Sequence, residues 1–225
     1  MRKLYLILFF INILFAGFPD YYYKLSIKQQ QKEFKNILLP MINKENQKIL
    51  NEREKVIQIF NIPMFMMNKQ NILILAKLAR KYHIKDIYDK EAFLKKIDII
   101  PPDLVLAQGA VESAWGRSYF VRNANNMFGQ WDYSGKGMIP RNRDANKTHT
   151  IRIFKSLEDS LAVYMRNLNR NPAYKEFREL RYKYRKENKK FDGLIAATTL
   201  HRYSELGEEY VKILQLVIKT FKGKR

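Results

Sequence analysis

The sequence contains no cysteine. That excludes disulfide bridges, thiolate metal sites, cysteine nucleophiles and the lipid attachment of a bacterial lipoprotein. Histidine is nearly as scarce: His83, His149 and His201 stand far apart with no second ligand at metal spacing. They read as ordinary surface or core histidines, and no metal or other cofactor is expected. Acidic residues are in deficit, 22 against 42 basic ones, for a formal net charge of +20. A chain so basic is drawn to polyanions, whether nucleic acid, an anionic membrane surface or an acidic wall polymer. No tandem repeat is present, and no apolar run reaches the roughly 20 residues needed to span a bilayer.

What is there suits a folded protein. At 225 residues and 46% hydrophobic composition the chain can bury a sizeable core. Met1-Arg2-Lys3 is a basic start, and Leu4 to Phe18 is apolar apart from Asn12 and Gly17. This pattern predicts export, with residues 1–19 a signal peptide or an N-terminal anchor. No good small-x-small cleavage site follows, because Leu14 or Phe15 would occupy the third position back. The expected location is periplasmic or envelope-associated. Residues 20–66 read as a helical N-terminal extension and residues 67–225 as the main domain; the sequence leaves the oligomeric state open.

Residues 26–60 predict one or two amphipathic helices broken at Pro40, with Ile62-Pro63 as the next break. Met64, Met66 and Met67 are expected as core filler. Asn68 can cap a helix to about Tyr82, Asp89 to Lys96 forms a short one, and Pro101-Pro102-Asp103 opens another. From Arg122 to Thr148 helical periodicity disappears among asparagines, glycines and Pro140. Thr148 to Phe154 alternates as a strand, half of a small hairpin. Ser156 caps the next helix, Asn171-Pro172 ends it, and a helix from Ala173 to Lys186 follows. Asp192 caps a short helix to Leu200, and Ser204 starts the last one. The expected class is mainly α, with one small β excursion after the Pro102 helix.

Within that helix Glu112 is a single carboxylate in a small, apolar stretch, Ala107 to Ser118. Leu104, Ala107, Val111 and Trp115 recur at helical spacing, and Gly116 is the expected C-terminal cap. Glu112 would then sit in the last turn, at the negative end of the helix dipole and beside an indole. Both effects raise a carboxyl pKa, as a general acid working near neutrality requires.

Glu112-Ser-Ala-Trp-Gly-Arg-Ser118 followed by Asn125-Asn-Met-Phe-Gly129 resembles the E-S-x-W-G-x-S … N-N-x-F-G signature of bacterial peptidoglycan β-N-acetylglucosaminidases, and most closely their Bax-type subgroup. Gly137 to Pro140, Tyr164 to Asn169 with Pro172 to Tyr174, and Tyr203 to Tyr210 agree as well, as do Leu38 to Pro40 and Glu45-Asn46 upstream. The resemblance spans residues 34–220. It implies a lysozyme-like α+β fold: a helical lobe carrying the acid, facing a small β-hairpin lobe across a cleft. It further implies hydrolysis of the glycosidic bond after N-acetylglucosamine in peptidoglycan glycan strands, with Glu112 as general acid. Trp115 and Gly116 then look structural, and Asn126 and Phe128 line the cleft floor. Tyr203 or Tyr210 contributes a phenol, while Tyr174 is as well read as packing as cleft contact. Trp131 belongs to the aromatic set of the loop, where sugar rings stack.

Relatives often carry a glutamate on the hairpin where this sequence aligns Thr150. Asp132 and Asp144 are the nearby acids that could act as a second carboxylate; the substrate's 2-acetamido group is the preferred alternative. Three rivals remain: a lytic transglycosylase acting beside N-acetylmuramic acid, a non-catalytic wall-binding protein, and nucleic-acid binding through the seven basic residues of Arg178 to Lys190. The expected export makes nucleic acid a poor partner. A solvated basic face, able to hold the protein on an anionic envelope, is the better reading of that stripe.

Overall fold

A computed structural model describes residues 16–140 and 148–223. Residues 1–15, which carry most of the expected export segment, lie outside the described residues, as does Asp144. Among the described residues no helix is long and apolar enough to cross a membrane.

The element that frames the molecule is α1, Ile27–Phe60, opened by a Ser26–Gln29 capping box. At 1.5 Å per residue its 34 residues extend about 51 Å. Pro40 does not divide it, contrary to the two-helix reading. The proline lies on the solvent side, where water can satisfy the carbonyl that loses its partner. Phe34, Leu38, Ile42, Ile49 and Val56 hold the other face in the core on both sides of the proline. The polar side chains of that face are also buried. Asn46 accepts from the Ile100 N–H at 2.9 Å and donates to its carbonyl at 2.8 Å. Arg53 donates to the Leu94 and Ile97 carbonyls. α1 thereby fixes the segment leading into the Pro102 helix.

Helices α2 (Lys69–Tyr82) and α3 (Lys90–Lys96) begin where expected, with Asn68 and Asp89 accepting from the Asn71 and Ala92 N–H groups. Helix α4, Pro102–Glu112, is buried from Leu104 through Ala110 and is apolar on every side there apart from Gln108. A helix apolar all round must be enclosed, and α4 packs against α1, α8 (Gly193–Ala197) and α9 (Glu208–Phe221). One hydrophobic cluster joins Phe18 and Tyr22 to Phe34, Leu104, Leu161, Leu168 and Leu214.

After α4 come α5 (Tyr119–Ala124) and a two-stranded antiparallel sheet, β1 (Trp131–Asp132) with β2 (Thr150–Ile151). The register is Trp131 opposite Ile151 and Asp132 opposite Thr150. Helix α6 (Leu157–Arg170) starts at the Ser156 cap, and α7 (Lys175–Lys186) follows a 3-10 turn at Pro172–Tyr174. The mainly α, lysozyme-like α+β class is therefore the observed one.

Several local expectations differ. Met64 and Met66 are exposed, because their 3-10 turn projects from the surface between α1 and α2. α5 was not anticipated and runs into the stretch from Arg122 where periodicity was expected to vanish: a six-residue helix is too short to show a repeat, although Ser118 caps it. α9 starts at Glu208 rather than Ser204, after Gly207 turns at φ +54°. α8 ends at Ala197, short of Leu200.

The basic stripe of α7 is also not simply a solvated face. Arg178 and Arg181 are buried and donate to carbonyls, Arg178 to Leu168 and Asn171, Arg181 to Lys95, Asp98 and Ile99. Arg185 chelates the buried Asp98 carboxylate, with Arg53 3.5 Å away on its other side. These cations are interior clamps. Lys183, Lys186, Lys189 and Lys190 stay exposed.

Candidate active site

Glu112 is the last residue of α4 and Ser113 its cap, three residues before the expected cap at Gly116. The chain does not run on helically to Trp115. Ala114, Trp115 and Gly116 instead take successive left-handed conformations, with φ of +49°, +56° and +76°. Such geometry costs about 1–2 kcal/mol at each residue bearing a Cβ, so the surroundings must hold it. Ser113 Oγ donates to the Gly109 carbonyl and accepts from the Gly116 N–H at 2.7 Å. The Trp115 N–H reaches the Ala110 carbonyl at 2.8 Å. The indole enters the core, with ring centroids 5.5 Å from Phe34 and 5.3 Å from Phe221. The Tyr22 hydroxyl donates to the Trp115 carbonyl at 2.6 Å. Trp115 and Gly116 are thus structural, and the reversal leaves Glu112 at a free helix end.

Glu112 is half-buried, and burial holds its carboxyl above the usual carboxylate range. A hydrogen bond from the Tyr210 hydroxyl to Oε1, 2.6 Å long, pulls in the opposite direction. The cause of the raised value is therefore desolvation rather than a charged neighbour. A carboxyl so placed can remain protonated at a pH where exposed glutamates are ionised, and can donate that proton.

Tyrosines enclose it. Tyr210, on α9, is stacked on Tyr203 with centroids 5.4 Å apart and planes at 6°. Tyr203 leans on Tyr174 at 6.1 Å. Burial and the charge of Glu112 raise the hydroxyl pKa values of both Tyr203 and Tyr174, so all three phenols are neutral donors around one acid. Between the two tyrosines the sequence offered for the phenol, it is Tyr210 that bonds Glu112 and Tyr203 that buttresses Tyr210.

The loop after α5 is tied by its two asparagines. Asn125, left-handed at φ +52°, donates to the Phe154 carbonyl and accepts from the Gly17 N–H. Asn126 is buried, and its amide donates to the Gln130 and Arg152 carbonyls and accepts from the Gln130 N–H, each at 2.9 Å. Its polar atoms shape the loop. Phe128 lies flat on Tyr164, centroids 3.8 Å apart at 7°. Trp131 is half-exposed on β1, edge-on to His149.

Asp132 is engaged by its own turn. Its carboxylate accepts from Ser134 Oγ and N–H, the Lys136 N–H and Thr150 Oγ1. The Ser134 hydroxyl above all holds it below the usual carboxylate range, as an ionised turn clasp. Thr150 is buried beside it and also donates to the Asp132 carbonyl. Among the described residues no group of three His, Cys, Asp or Glu side chains could hold a metal ion.

One residue beside Glu112 was not singled out in the sequence for its chemistry. Gln108, fully buried on α4, donates to the Tyr210 hydroxyl at 3.1 Å and accepts from the Tyr164 hydroxyl. An amide inside the apolar run Leu104–Ala110 was the available signal, because such a group must find partners.

A family model described as mannosyl-glycoprotein endo-beta-N-acetylglucosaminidase matches residues 89–222, from the edge of α3 to the end of α9. The chain is 29% identical over 201 residues to Protein bax of Escherichia coli (strain K12), covering 87% of this chain and 71% of that one. No solved structure matches it.

Proposed function

The chain belongs to the glucosaminidase family and so to glycosidase-type enzymes of cell-wall glycan, and on that premise we propose that it hydrolyses the β-1,4 bond after N-acetylglucosamine in peptidoglycan, with Glu112 as general acid. The observation that carries this reading is a half-buried carboxyl of raised pKa, at an open helix end, among neutral phenols. In the reaction the Glu112 proton passes to the glycosidic oxygen as its bond to C1 breaks. The departing sugar keeps that proton as a hydroxyl, and Glu112 is left ionised, accepting from Tyr210.

The other face of the sugar needs a nucleophile. Thr150 offers no carboxylate, and Asp132 is engaged by its own turn. This favours the substrate's 2-acetamido oxygen, which closes on C1 to give an oxazolinium ion. Water then opens that ion, and its proton returns to Glu112. The same observation keeps one second reading in play: a lytic transglycosylase, in which a sugar hydroxyl closes on C1 and no water is added.

Trp131 and Tyr174 are read as sugar-facing surfaces; Phe128, expected on the cleft floor, is instead buried against Tyr164, and with Asn126 it braces the loop from within. The basic start, the apolar run of residues 4–18 and the net charge of +20 support export to an anionic envelope.

The test is digestion of purified peptidoglycan by the wild type and by Glu112→Gln, with products identified by mass. A reducing N-acetylglucosamine end, absent with the variant, is expected. Anhydro-muramyl ends would establish the transglycosylase instead, and intact glycan with the wild type would leave only a wall-binding role.

A further inference from the structure

The hydrogen bonds behind Glu112 run in one direction. Tyr164 Oη donates to Gln108 Oε1, Gln108 Nε2 donates to Tyr210 Oη, and Tyr210 Oη donates to Glu112 Oε1. Gln108 is fully enclosed, and Tyr164 and Tyr210 nearly so. The four members come from three helices: Tyr164 from α6, Gln108 and Glu112 from α4, Tyr210 from α9.

The direction is fixed at the Glu112 end, because an ionised carboxylate can only accept. A tyrosine hydroxyl has one proton to give. Because the Tyr210 oxygen accepts from the Gln108 amide, its own proton is left for Glu112. The amide cannot flip without setting its NH₂ against the Tyr164 hydroxyl and its carbonyl against the Tyr210 oxygen. That would return the Tyr210 proton to Gln108 and leave Glu112 without a donor. The orientation of Gln108 is therefore a switch held in one position.

We propose that Gln108 is a positioning residue, held by Tyr164, that commits the Tyr210 hydroxyl to Glu112 Oε1 and so leaves Oε2 as the oxygen that carries and delivers the proton. The link through Tyr164 continues to the loop, since the Tyr164 ring lies on Phe128. A sugar pressing on the loop that carries Phe128 would thus bear on the far end of the same chain. The proposal deepens the acid role assigned to Glu112 and rests on it for its kinetic consequence, though not for the wiring.

The consequence has a definite sign. Tyr210 stabilises the Glu112 carboxylate and opposes the upward pull of burial. Donation from Gln108 eases charge on the Tyr210 oxygen and makes its hydroxyl a better donor, since linked hydrogen bonds polarise one another. Removing the Gln108 donor must therefore let the Glu112 pKa rise.

The experiment compares full-length wild type, Gln108→Met, Tyr164→Phe and Tyr210→Phe. The Glu112 titration is followed by carbon NMR of labelled glutamate, assigned through its disappearance in Glu112→Gln. All three variants should titrate Glu112 at higher pH than the wild type, Tyr164→Phe by the least. The descending alkaline limb of kcat/KM on peptidoglycan should move with it, and kcat should fall roughly 10- to 100-fold in Gln108→Met. A purely structural role would lower melting temperature without moving the titration. An unchanged Glu112 titration in folded Gln108→Met overturns the proposal; if that variant does not fold, the same result in Tyr164→Phe does. A wild type inactive on peptidoglycan would sink the proposed function alone, because the NMR titration needs no substrate.

Discussion

The ring of Phe18 occupies the space where a side chain on Gly116 would have to go: a Cβ there would lie 2.4 Å from Phe18 Cε2. The last residue of the apolar N-terminal run thus forms one wall of the turn that follows Glu112. With φ at +76°, Gly116→Ala meets both a backbone and a steric conflict. It should destabilise the protein by about 2–4 kcal/mol, measured by denaturant unfolding. Phe18→Ala leaves a cavity and should cost about 3–5 kcal/mol. The double variant should be less destabilised than the two losses together, because the alanine at 18 makes room for the methyl at 116. Simple additivity would mean that the ring does not bear on the glycine.

Glu112 itself should show a trade of stability for function. A carboxyl whose folded pKa is raised binds its proton more tightly folded than unfolded. Its contribution is full at pH below the unfolded carboxylate value and is lost as pH rises through the folded value. Glu112→Gln keeps an acceptor for Tyr210 but never ionises. It should match the wild type at acid pH and melt higher at neutral pH, by about 0.5–2 kcal/mol, while losing activity by roughly 10²–10⁴-fold. Equal melting curves at both pH values would show that ionised Glu112 is not penalised by its burial.

Asp98 carries the opposite sign. It is buried, yet Arg181, Arg185 and Arg53 hold its carboxyl below the usual range against the upward pull of burial. Its stabilisation is present above the unfolded carboxylate value and lost as pH falls through the lower folded one. Asp98→Ala leaves those cations facing an empty site and should destabilise by about 3–5 kcal/mol. The acid limb of the stability profile should flatten at the same time. A surface lysine such as Lys186, changed to Gln, should alter stability by less than about 0.5 kcal/mol.

Asp132→Asn is expected to keep near-normal turnover, since Asp132 serves its own turn. The same is expected of Asp144→Asn if the acetamido group acts as nucleophile. Initial rates on peptidoglycan, with the fold checked by circular dichroism, decide this. Loss of turnover in either folded variant would instead identify that aspartate as the second carboxylate.

Much of this protein is local in origin and so readable along the chain. Asn68, Asp89, Ser156 and Asp192 each accept from a backbone N–H at the helix start they were expected to cap, because a cap interacts only with the next turn. The setting of Glu112 was legible too, as one acid in an apolar, small-residue stretch beside a Trp-Gly pair. Distance along the chain hid the rest. Pro40 looked like a break because a single proline weakens a helix locally, while the packing that overrides it comes from the rest of the core. The helix end at Glu112 rather than Gly116 depends on Tyr22 and Phe34, some ninety and eighty residues upstream. The cations of α7 looked solvated because their anion, Asp98, is 87 residues from Arg185. The sequence by itself determined that Glu112 stands in an apolar setting at a helix end. Tertiary structure alone decided that Tyr210 rather than Tyr203 answers it, and that Gln108 aims the answer. Hydrogen-bond direction depends on which groups meet in space, and three helices meet there.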